Sequence, residues 1–377
     1  MFHVSYFVLI VPTMNICTLG YHDPEGARHW VIKQGLQKAG HKVIECQTNA
    51  AGLFPKYRDL VHQYWPKRKS IDVFLVPFPG HYIVPLAWLL RLFSKKPIVF
   101  DAFISLHDTL VEDRKLVSRW HPKAWLLRFI DWLSCALATV VLVDTPQHRD
   151  FFRERYSIAP KKLLVIHVGS RTDFFNPSPN PTCPERSRRD PNPGFTVLFC
   201  GSFIPLHGIE TILQAASLLQ KENMSIRLLL IGKGQLYPAM QKLAQSLQLK
   251  NTEFLGTKLP VEVACYLNNA DIALGIFGSS DKAQRVIPHK VYDALACGVA
   301  VITGDTPAAR SLLTHEKHAW LIPPNAEAIA QAIMTMKRNP ELRECVAKNG
   351  HALFNASCTP ERLIAPLIKW LQEGVSE

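Results

Sequence analysis

The sequence predicts an α/β protein built from two Rossmann-like domains that face a central cleft. Short apolar strands alternate with helical patterns along the whole chain, which is typical of parallel sheets. This alternation stops at one proline-rich segment and then restarts. The chain has 377 residues, of which 47% are hydrophobic, and that is enough for about two cores. Ligands of open parallel sheets bind beyond the carboxyl ends of the strands, so both halves are expected to face one ligand.

The first half, residues 14–175, is predicted to form the N-terminal domain. Its strands are expected at 15–19, 42–47, 72–76, 97–100, 140–143 and 163–166. Its helices are expected at about 26–39, 82–94, 122–137 and 146–155. Gly40 follows the first of these helices, where glycine commonly ends a helix.

Two segments are expected to lie outside the folded domains. Residues 1–13 precede a second methionine, Met14, and lack the basic start and cleavage site of a signal peptide, so we expect a dispensable extension. Residues 176–194 are rich in proline and contain no large apolar side chain, which predicts a linker or insertion. The basic run 186–189 within it is interpreted as a solvated loop.

The second half, residues 195–359, restarts the alternation and predicts a second domain. Its strands are expected near 195–200, 226–231, 252–255, 271–274, 299–302 and 319–321. Its helices are expected near 208–222, 235–248, 260–269, 288–297, 325–337 and 341–355. An amphipathic helix over 360–374 is expected in the last segment, 360–377.

The net charge of +12 points to an anionic partner, which could be nucleic acid, an acidic membrane surface or a phosphorylated small molecule. Basic residues are spread over many elements and no recognition motif is present, so nucleic acid is not expected as a partner. The nine cysteines form no C-x-x-C pair, which fits a reducing cytoplasm. No apolar run is long enough to predict a membrane-spanning helix.

Two strand-to-helix junctions in the second half could bind phosphate. In the first, Gly201 and Ser202 follow a strand, and His207 and Gly208 open a helix whose free N–H groups suit an anion. The second, around Gly232 and Lys233, has only a weak G-x-G pattern, which disfavours NAD. Plain β–α loops remain an alternative for both.

The segment 281–303 has the highest density of chemically active residues. Arg285 lies in a loop that leads to Pro288, and the helix that begins there carries His289, Lys290 and Asp293. Lys290 and Asp293 are three residues apart, so they share one helix face. They could form an intrahelical ion pair, or supply a cation for a diphosphate and a carboxylate for sugar hydroxyls.

Two junctions in the first half are also candidate site segments. Gly26 and Arg28 lie where the first strand passes into the first helix. Asp101 ends the fourth strand and His107 follows it, which suits acid/base or orienting work, although a hydrogen-bonded loop cluster would have the same sequence. No Asp-x-Asp motif occurs, so we predict no metal at a nucleotide diphosphate.

These motifs resemble the group 1 glycosyltransferase family, also called glycosyltransferase family 4, of GT-B fold. The resemblance rests on Gly-Ser-Phe-Ile-Pro-Leu-His-Gly-Ile (201–209), Leu-Ile-Gly-Lys-Gly (230–234), Phe-Leu-Gly (254–256) and Ile-Pro-His-Lys-Val-Tyr-Asp-Ala-Leu-Ala-Cys-Gly (287–298). It implies a retaining transferase, with no cofactor or required metal, that moves a hexosyl-type sugar from a nucleotide diphosphate to a glycan or lipid-linked acceptor. It also implies a role in cell-surface polysaccharide biosynthesis.

The resemblance assigns roles residue by residue. The second half would bind the donor, the first half the acceptor, and the last helix would cross back onto the first domain. The donor's diphosphate would meet the loop from Gly201 to Gly208, and its ribose would meet Asp293, the second acidic position of the family's E-x7-E pattern. The first acidic position is Arg285, so the pattern is not intact. Two cations usual in the family fall on Ser202 and His207. Lys233, Lys290, Arg285 or His289 would have to compensate.

The family's catalytic-side histidine falls near Asp101, so Asp101 and His107 are the candidate catalytic residues. Two other classes stay open: a non-hydrolysing nucleotide-sugar epimerase, and a non-catalytic nucleotide-sugar-binding protein. Basic and aromatic residues mix over 88–96 and around Trp120 and Trp125. That mixture predicts either peripheral contact with the anionic inner face of the cell membrane or ordinary amphipathic helices.

Overall fold

The computed structural model describes residues 13–177 and 194–374. The predicted extension at 1–13 and the predicted linker at 176–194 fall almost wholly outside these ranges. Both stay predictions, as does the solvated basic run at 186–189.

The first sheet has six parallel strands in the order β2-β1-β3-β4-β5-β6. They are β1 Asn15–Gly20, β2 Lys42–Gln47, β3 Val73–Val76, β4 Ile98–Phe103, β5 Val140–Val143 and β6 Leu163–Val165. The helices of this half are α1 Ala27–Lys38, α2 Leu53–Tyr64, α3 Val84–Ser94, α4 Pro122–Leu137 and α5 Pro146–Tyr156. Helices cover both faces of the sheet, which explains why β3 and β5 are continuous apolar runs.

The second sheet also has six parallel strands, in the order β12-β11-β10-β7-β8-β9. They are β7 Phe195–Cys200, β8 Ile226–Ile231, β9 Thr252–Gly256, β10 Ile272–Leu274, β11 Ala300–Gly304 and β12 Trp320–Ile322. The helices are α6 Ile209–Lys221, α7 Tyr237–Ser246, α8 Pro260–Asn268, α9 His289–Ala296, α10 Pro307–Leu312, α11 Ala326–Arg338 and α12 Pro340–Ser357. The predicted α/β class with two Rossmann-like sheets is therefore confirmed.

Two helices were not predicted. Helix α2 buries only Leu60 and Tyr64 and leaves Leu53 and Phe54 at its start exposed. Helix α10 has six residues, too few to show a period.

The last segment packs on the first sheet. Instead of the predicted single helix over 360–374, the chain forms α13 Pro360–Leu363 and α14 Ala365–Gly374. Leu363 and Leu367 are buried in one apolar cluster with Ile16 of β1. The packing is close at Gly35 of α1, where an added Cβ would lie 2.6 Å from the Pro360 carbonyl oxygen. The segment that follows the second sheet thus completes the core of the first.

Candidate functional site

Two glycine loops at the carboxyl ends of β7 and β8 touch each other. Gly232 has a φ of +127°, and a Cβ there would lie 2.0 Å from the carbonyl oxygen of Gly201. Only glycine fits such an approach, because any side chain would push the loops apart. The two predicted phosphate loops are therefore parts of one surface.

The first of these loops continues into α6 through Ser202, His207 and Gly208. Gly208 is the N-cap of α6, with a φ of +64°, and an added Cβ would lie 2.4 Å from the backbone of Phe277. The His207 ring contacts the Ser202 carbonyl oxygen through Nδ1. Burial, together with the nearby Lys290 charge, lowers the pKa of His207 well below its usual value. His207 is therefore neutral near pH 7 and supplies no positive charge.

Lys290 lies directly beneath the first loop. A Cβ on Gly201 would be 2.6 Å from its ammonium nitrogen, which also stands 3.9 Å from the centre of the Phe199 ring. This nitrogen is buried and has no hydrogen-bond partner among the described residues. Burial lowers the pKa of Lys290 to about 7. A cation without a counter-ion thus faces the place where two strand-end loops meet.

Asp293 lies one turn further along α9, and its carboxylate does not pair with the Lys290 ammonium. Its Oδ1 accepts a hydrogen bond from the hydroxyl of Ser170 at 2.5 Å, and burial raises its pKa to about 7. The alternative of an intrahelical Lys290–Asp293 ion pair is not formed within the part of the chain that the structure describes. Both side chains line one small cavity together with Cys200.

The other three candidate cations of the second half have different surroundings from Lys290. Arg285 donates to Asp108 of the first half at 2.7 Å and stacks over the Phe151 ring. The His289 ring packs near Phe103, and burial with the neighbouring Arg28 charge lowers its pKa to about 4. Lys233 is exposed. Of the four proposed cations, Lys290 is the one buried beneath the junction of the glycine loops, whereas Lys233 is an exposed residue of the second loop.

In the first half, two predicted site residues form one buried pair. Arg28, in the first turn of α1 after the N-cap Gly26, donates to both oxygens of Asp101 at 2.7–2.9 Å. Asp101 is 1% exposed and Arg28 is 6% exposed. A further bond, from Arg28 to the Ile166 carbonyl oxygen, fixes the guanidinium. Because both carboxylate oxygens are occupied, Asp101 is not a free base.

His107 stands apart from that pair. Its Nδ1 lies 3.5 Å from a Glu112 carboxylate oxygen, and burial lowers its pKa. Its backbone N–H donates to the buried Asp131, which fixes the start of the helical turn Asp108–Asp113. His107 is therefore a neutral imidazole near pH 7, set at the edge of the first sheet.

Sequence reasoning missed two residues that join the halves. Ser170 binds Asp293, and Lys282 is buried and donates to the hydroxyl of Thr109 at 2.6 Å. Ser170 has no motif, and only its position shortly after β6 could have indicated a role. Lys282 lies in the loop that leads to Pro288, and only its charge could have indicated a role.

Comparison with known proteins confirms the family resemblance. Residues 185–352 match the model of the glycosyl transferases group 1. Over these residues the chain is similar to the group 1 glycosyltransferases, and the two sheets together have the GT-B fold.

Curated relatives are distant. The chain is 23% identical over 150 residues to a GDP-mannose-dependent alpha-(1-6)-phosphatidylinositol dimannoside mannosyltransferase of Mycobacterium tuberculosis, covering 38% of this chain and 36% of that protein. It is 22% identical over 268 residues to a D-inositol 3-phosphate glycosyltransferase of Corynebacterium aurimucosum, covering 66% and 60%. The chain spans between about a third and three fifths of the length of these curated relatives.

Solved structures share the fold over nearly the whole chain. Sucrose-phosphate synthase from Thermosynechococcus elongatus superposes with a TM-score of 0.75 at 17% identity, covering 96% of this chain and 99% of that one. Anabaena HepE in complex with UDP-glucose superposes with a TM-score of 0.72 at 15% identity, covering 95% and 99%.

Proposed function

We propose that the chain is a retaining glycosyltransferase that moves a hexosyl group from a nucleotide diphosphate donor to a glycan or lipid-linked acceptor. The observation that carries the proposal is the buried Lys290 ammonium, which has no partner among the described residues and lies under Gly201. A diphosphate between the glycine loops would supply the missing negative charge. The names of two similar proteins support this donor class, since one is GDP-mannose-dependent and the other is in complex with UDP-glucose.

The proposed reaction depends on stabilising the leaving diphosphate. The glycosidic C–O bond breaks first, so negative charge gathers on the phosphate oxygen. Lys290 and the N-termini of α6 and α9 would stabilise that charge without reorganisation, which is the largest source of acceleration in many enzymes. We propose no resident cofactor and no metal at the diphosphate.

The new bond would form on the same face of the sugar. The acceptor hydroxyl oxygen attacks the anomeric carbon while the leaving phosphate oxygen takes the hydroxyl proton, so configuration is retained and no side-chain base is needed. Asp101 would then act as a positioning residue through Arg28, because Arg28 occupies both of its oxygens. His107, as a neutral imidazole, would orient the acceptor.

Nucleotide binding followed by product analysis tests this proposal. The full chain is screened by thermal shift against UDP, GDP, ADP and their sugars, and a ligand at 100 times its Kd should add about 2.7 kcal/mol of stability. The anomeric configuration of the product is then read by NMR. Inversion would refute the retaining mechanism, and no shift with any nucleotide would refute the donor site. An isomerised donor sugar without acceptor would establish an epimerase, and binding without turnover a non-catalytic protein.

We also propose that an exposed aromatic and basic surface brings the enzyme to an anionic, cytoplasmic membrane face. Trp120 and Trp125 are 75% and 64% exposed. They line a groove that reaches back to His107 and also contains Lys115, Arg119 and Arg128. Aromatic rings with basic neighbours suit the interface of an anionic bilayer. None of the described helices has the length and apolarity needed to span a bilayer.

Vesicle sedimentation tests the membrane proposal. The full chain should sediment with vesicles of phosphatidylserine and phosphatidylcholine more than with phosphatidylcholine alone. A Trp120→Ser, Trp125→Ser double variant should lose most of this binding. Trp65→Ser is the matched control, because Trp65 is 53% exposed and lies outside this groove. Equal sedimentation of the double variant and the control would contradict the proposal.

A further inference from the structure

Two histidines and a glutamate meet at the carboxyl ends of β1 and β2. His22 lies in the loop after β1, His29 in α1 and Glu45 in β2. His22 and His29 are 2% and 5% exposed, and their ring centres are 4.1 Å apart. One ligand atom from each of the three side chains falls within 4.8 Å of the others. Three separate elements therefore bring potential metal-ligand atoms close together.

The spacing between these atoms suits a shared metal ion. Nε2 of His22 lies 3.4 Å from Glu45 Oε2, and Nε2 of His29 lies 3.3 Å from Glu45 Oε1. The second contact is a hydrogen bond, longer than the usual 2.9–3.0 Å. Two ligands that each stand about 2.05 Å from a tetrahedral zinc ion are about 3.3 Å apart. Neither ring nitrogen of His22 has a hydrogen-bond partner among the described residues, although both nitrogens are buried.

A neighbouring hydroxyl holds the carboxylate of this cluster in place. The Thr18 hydroxyl donates a hydrogen bond to Glu45. Carboxylates that bind a metal commonly accept such a hydrogen bond from a residue behind them.

Lys33 is the present cationic partner of this cluster. Its ammonium nitrogen lies 3.0 Å from Glu45 Oε1, and its side chain is 28% exposed. A long lysine at the surface can turn into water when a doubly charged ion arrives. Lys33 therefore competes with a metal without blocking it.

We propose that His22, His29 and Glu45 bind one Zn²⁺ ion, with water as the fourth ligand. Imidazole and carboxylate ligands in a three-residue set suit zinc among the common divalent ions. The ion would tie the loop after β1 to α1 and β2, and so hold Gly26 and the start of α1 in place. The sequence gives no familiar ligand spacing here, which is why no metal was predicted. The proposal does not depend on glycosyl transfer.

Metal binding to the metal-free full chain tests the proposal. Zn²⁺ affinity is measured by competition with a chromogenic chelator, and Co²⁺ substitution reports tetrahedral geometry through its intense visible absorption. We expect one ion per chain. His22→Ala and Glu45→Gln should each weaken binding at least tenfold to a hundredfold. Lys33→Met should tighten it severalfold, because the competing charge is gone.

The controls separate this site from other histidines and from misfolding. His62→Ala removes an exposed histidine of α2 and should leave the affinity unchanged. Glu45→Gln keeps the shape of the side chain, and circular dichroism verifies its fold. Equal zinc affinity in wild type and Glu45→Gln would overturn the proposal, as would weaker binding by Lys33→Met. An anomalous-scattering peak at zinc's absorption edge, found away from these residues, would do the same.

Discussion

Replacing Lys290 by methionine should stabilise the empty protein while it weakens donor binding. Burial lowers the pKa of Lys290 from its ordinary 10.5 to about 7. One pKa unit equals about 1.4 kcal/mol, so holding this ammonium charged in the empty cleft costs roughly 5 kcal/mol. The ammonium nitrogen is buried while the side chain as a whole is half-buried, and structural relaxation and water penetration reduce the cost of a buried charge. We therefore expect Lys290→Met to add about 1 to 3 kcal/mol to the free energy of unfolding.

The same change removes the cation that would meet the diphosphate. A hydrogen bond to a charged group contributes about 1.5 to 3 kcal/mol, so the nucleotide diphosphate Kd should rise about tenfold to a hundredfold. The value of kcat/KM with an identified donor should fall by at least as much. Stability is measured by urea unfolding without ligand, and Kd by calorimetry. Lys242→Met, at an exposed position of α7, is the matched control and should change neither quantity.

Opposite signs of the two effects are the distinctive result. A structural lysine would lower stability on removal, and a lysine remote from the ligand would leave Kd unchanged. If Lys290→Met destabilises the empty protein, the argument from its unsatisfied charge is wrong. If the Kd stays within twofold of the wild type for the nucleotide that binds best, Lys290 does not bind the diphosphate.

Three further outcomes are expected. Bound diphosphate should raise the pKa of Lys290 above its value of about 7 in the ligand-free protein. Donor affinity should therefore be highest below pH 7 and fall by up to about tenfold per pH unit above it. Calorimetry from pH 6 to 9 measures this profile, which should be flat for Lys290→Met. Asp101→Asn leaves the buried Arg28 guanidinium without its counter-charge, and urea unfolding should record a loss of about 3 to 5 kcal/mol; no loss would contradict the role of this pair. A double-mutant cycle of Arg285→Ala with Asp108→Ala should give a coupling energy of about 0.5 to 3 kcal/mol in unfolding, because their contact is 2.7 Å long and Asp108 is buried; additive effects would show that the contact is absent in solution.

The fold was predictable because each strand carries its own signal. The predicted strands at 42–47, 195–200 and 226–231 coincide with β2, β7 and β8 to the residue. For β7 and β8 the signal is a mainly apolar run between turn residues, which marks a buried parallel strand. The break at Ile364 was not predictable. It arises where α13 meets Gly35, more than 300 positions earlier in the chain, and no local pattern carries that contact.

The site was predictable where local chain geometry determines it. The loops of Gly201 and Gly232 follow adjacent strands, so the parallel sheet alone places them side by side. The environment of Lys290 was not predictable, because its isolation depends on Asp293 binding Ser170 instead. Periodicity shows which residues share a helix face, but it does not show which partner from the other half each one binds.

Because the E-x7-E pattern is altered, Lys290 would have to supply most of the positive charge that meets the diphosphate. The resemblance puts an acid at position 285, where this chain has arginine, and that arginine is neutralised by Asp108 from the other half. Arg285 therefore brings no net positive charge to the donor, and the neutral His207 brings none either. Lys233 is exposed and lies on the second glycine loop, so its ammonium is already stabilised by water before a ligand arrives. Lys290 is the one of these four that is buried and still partly protonated near pH 7, because burial lowers its pKa only to about 7. A diphosphate therefore gains most where it meets that side chain.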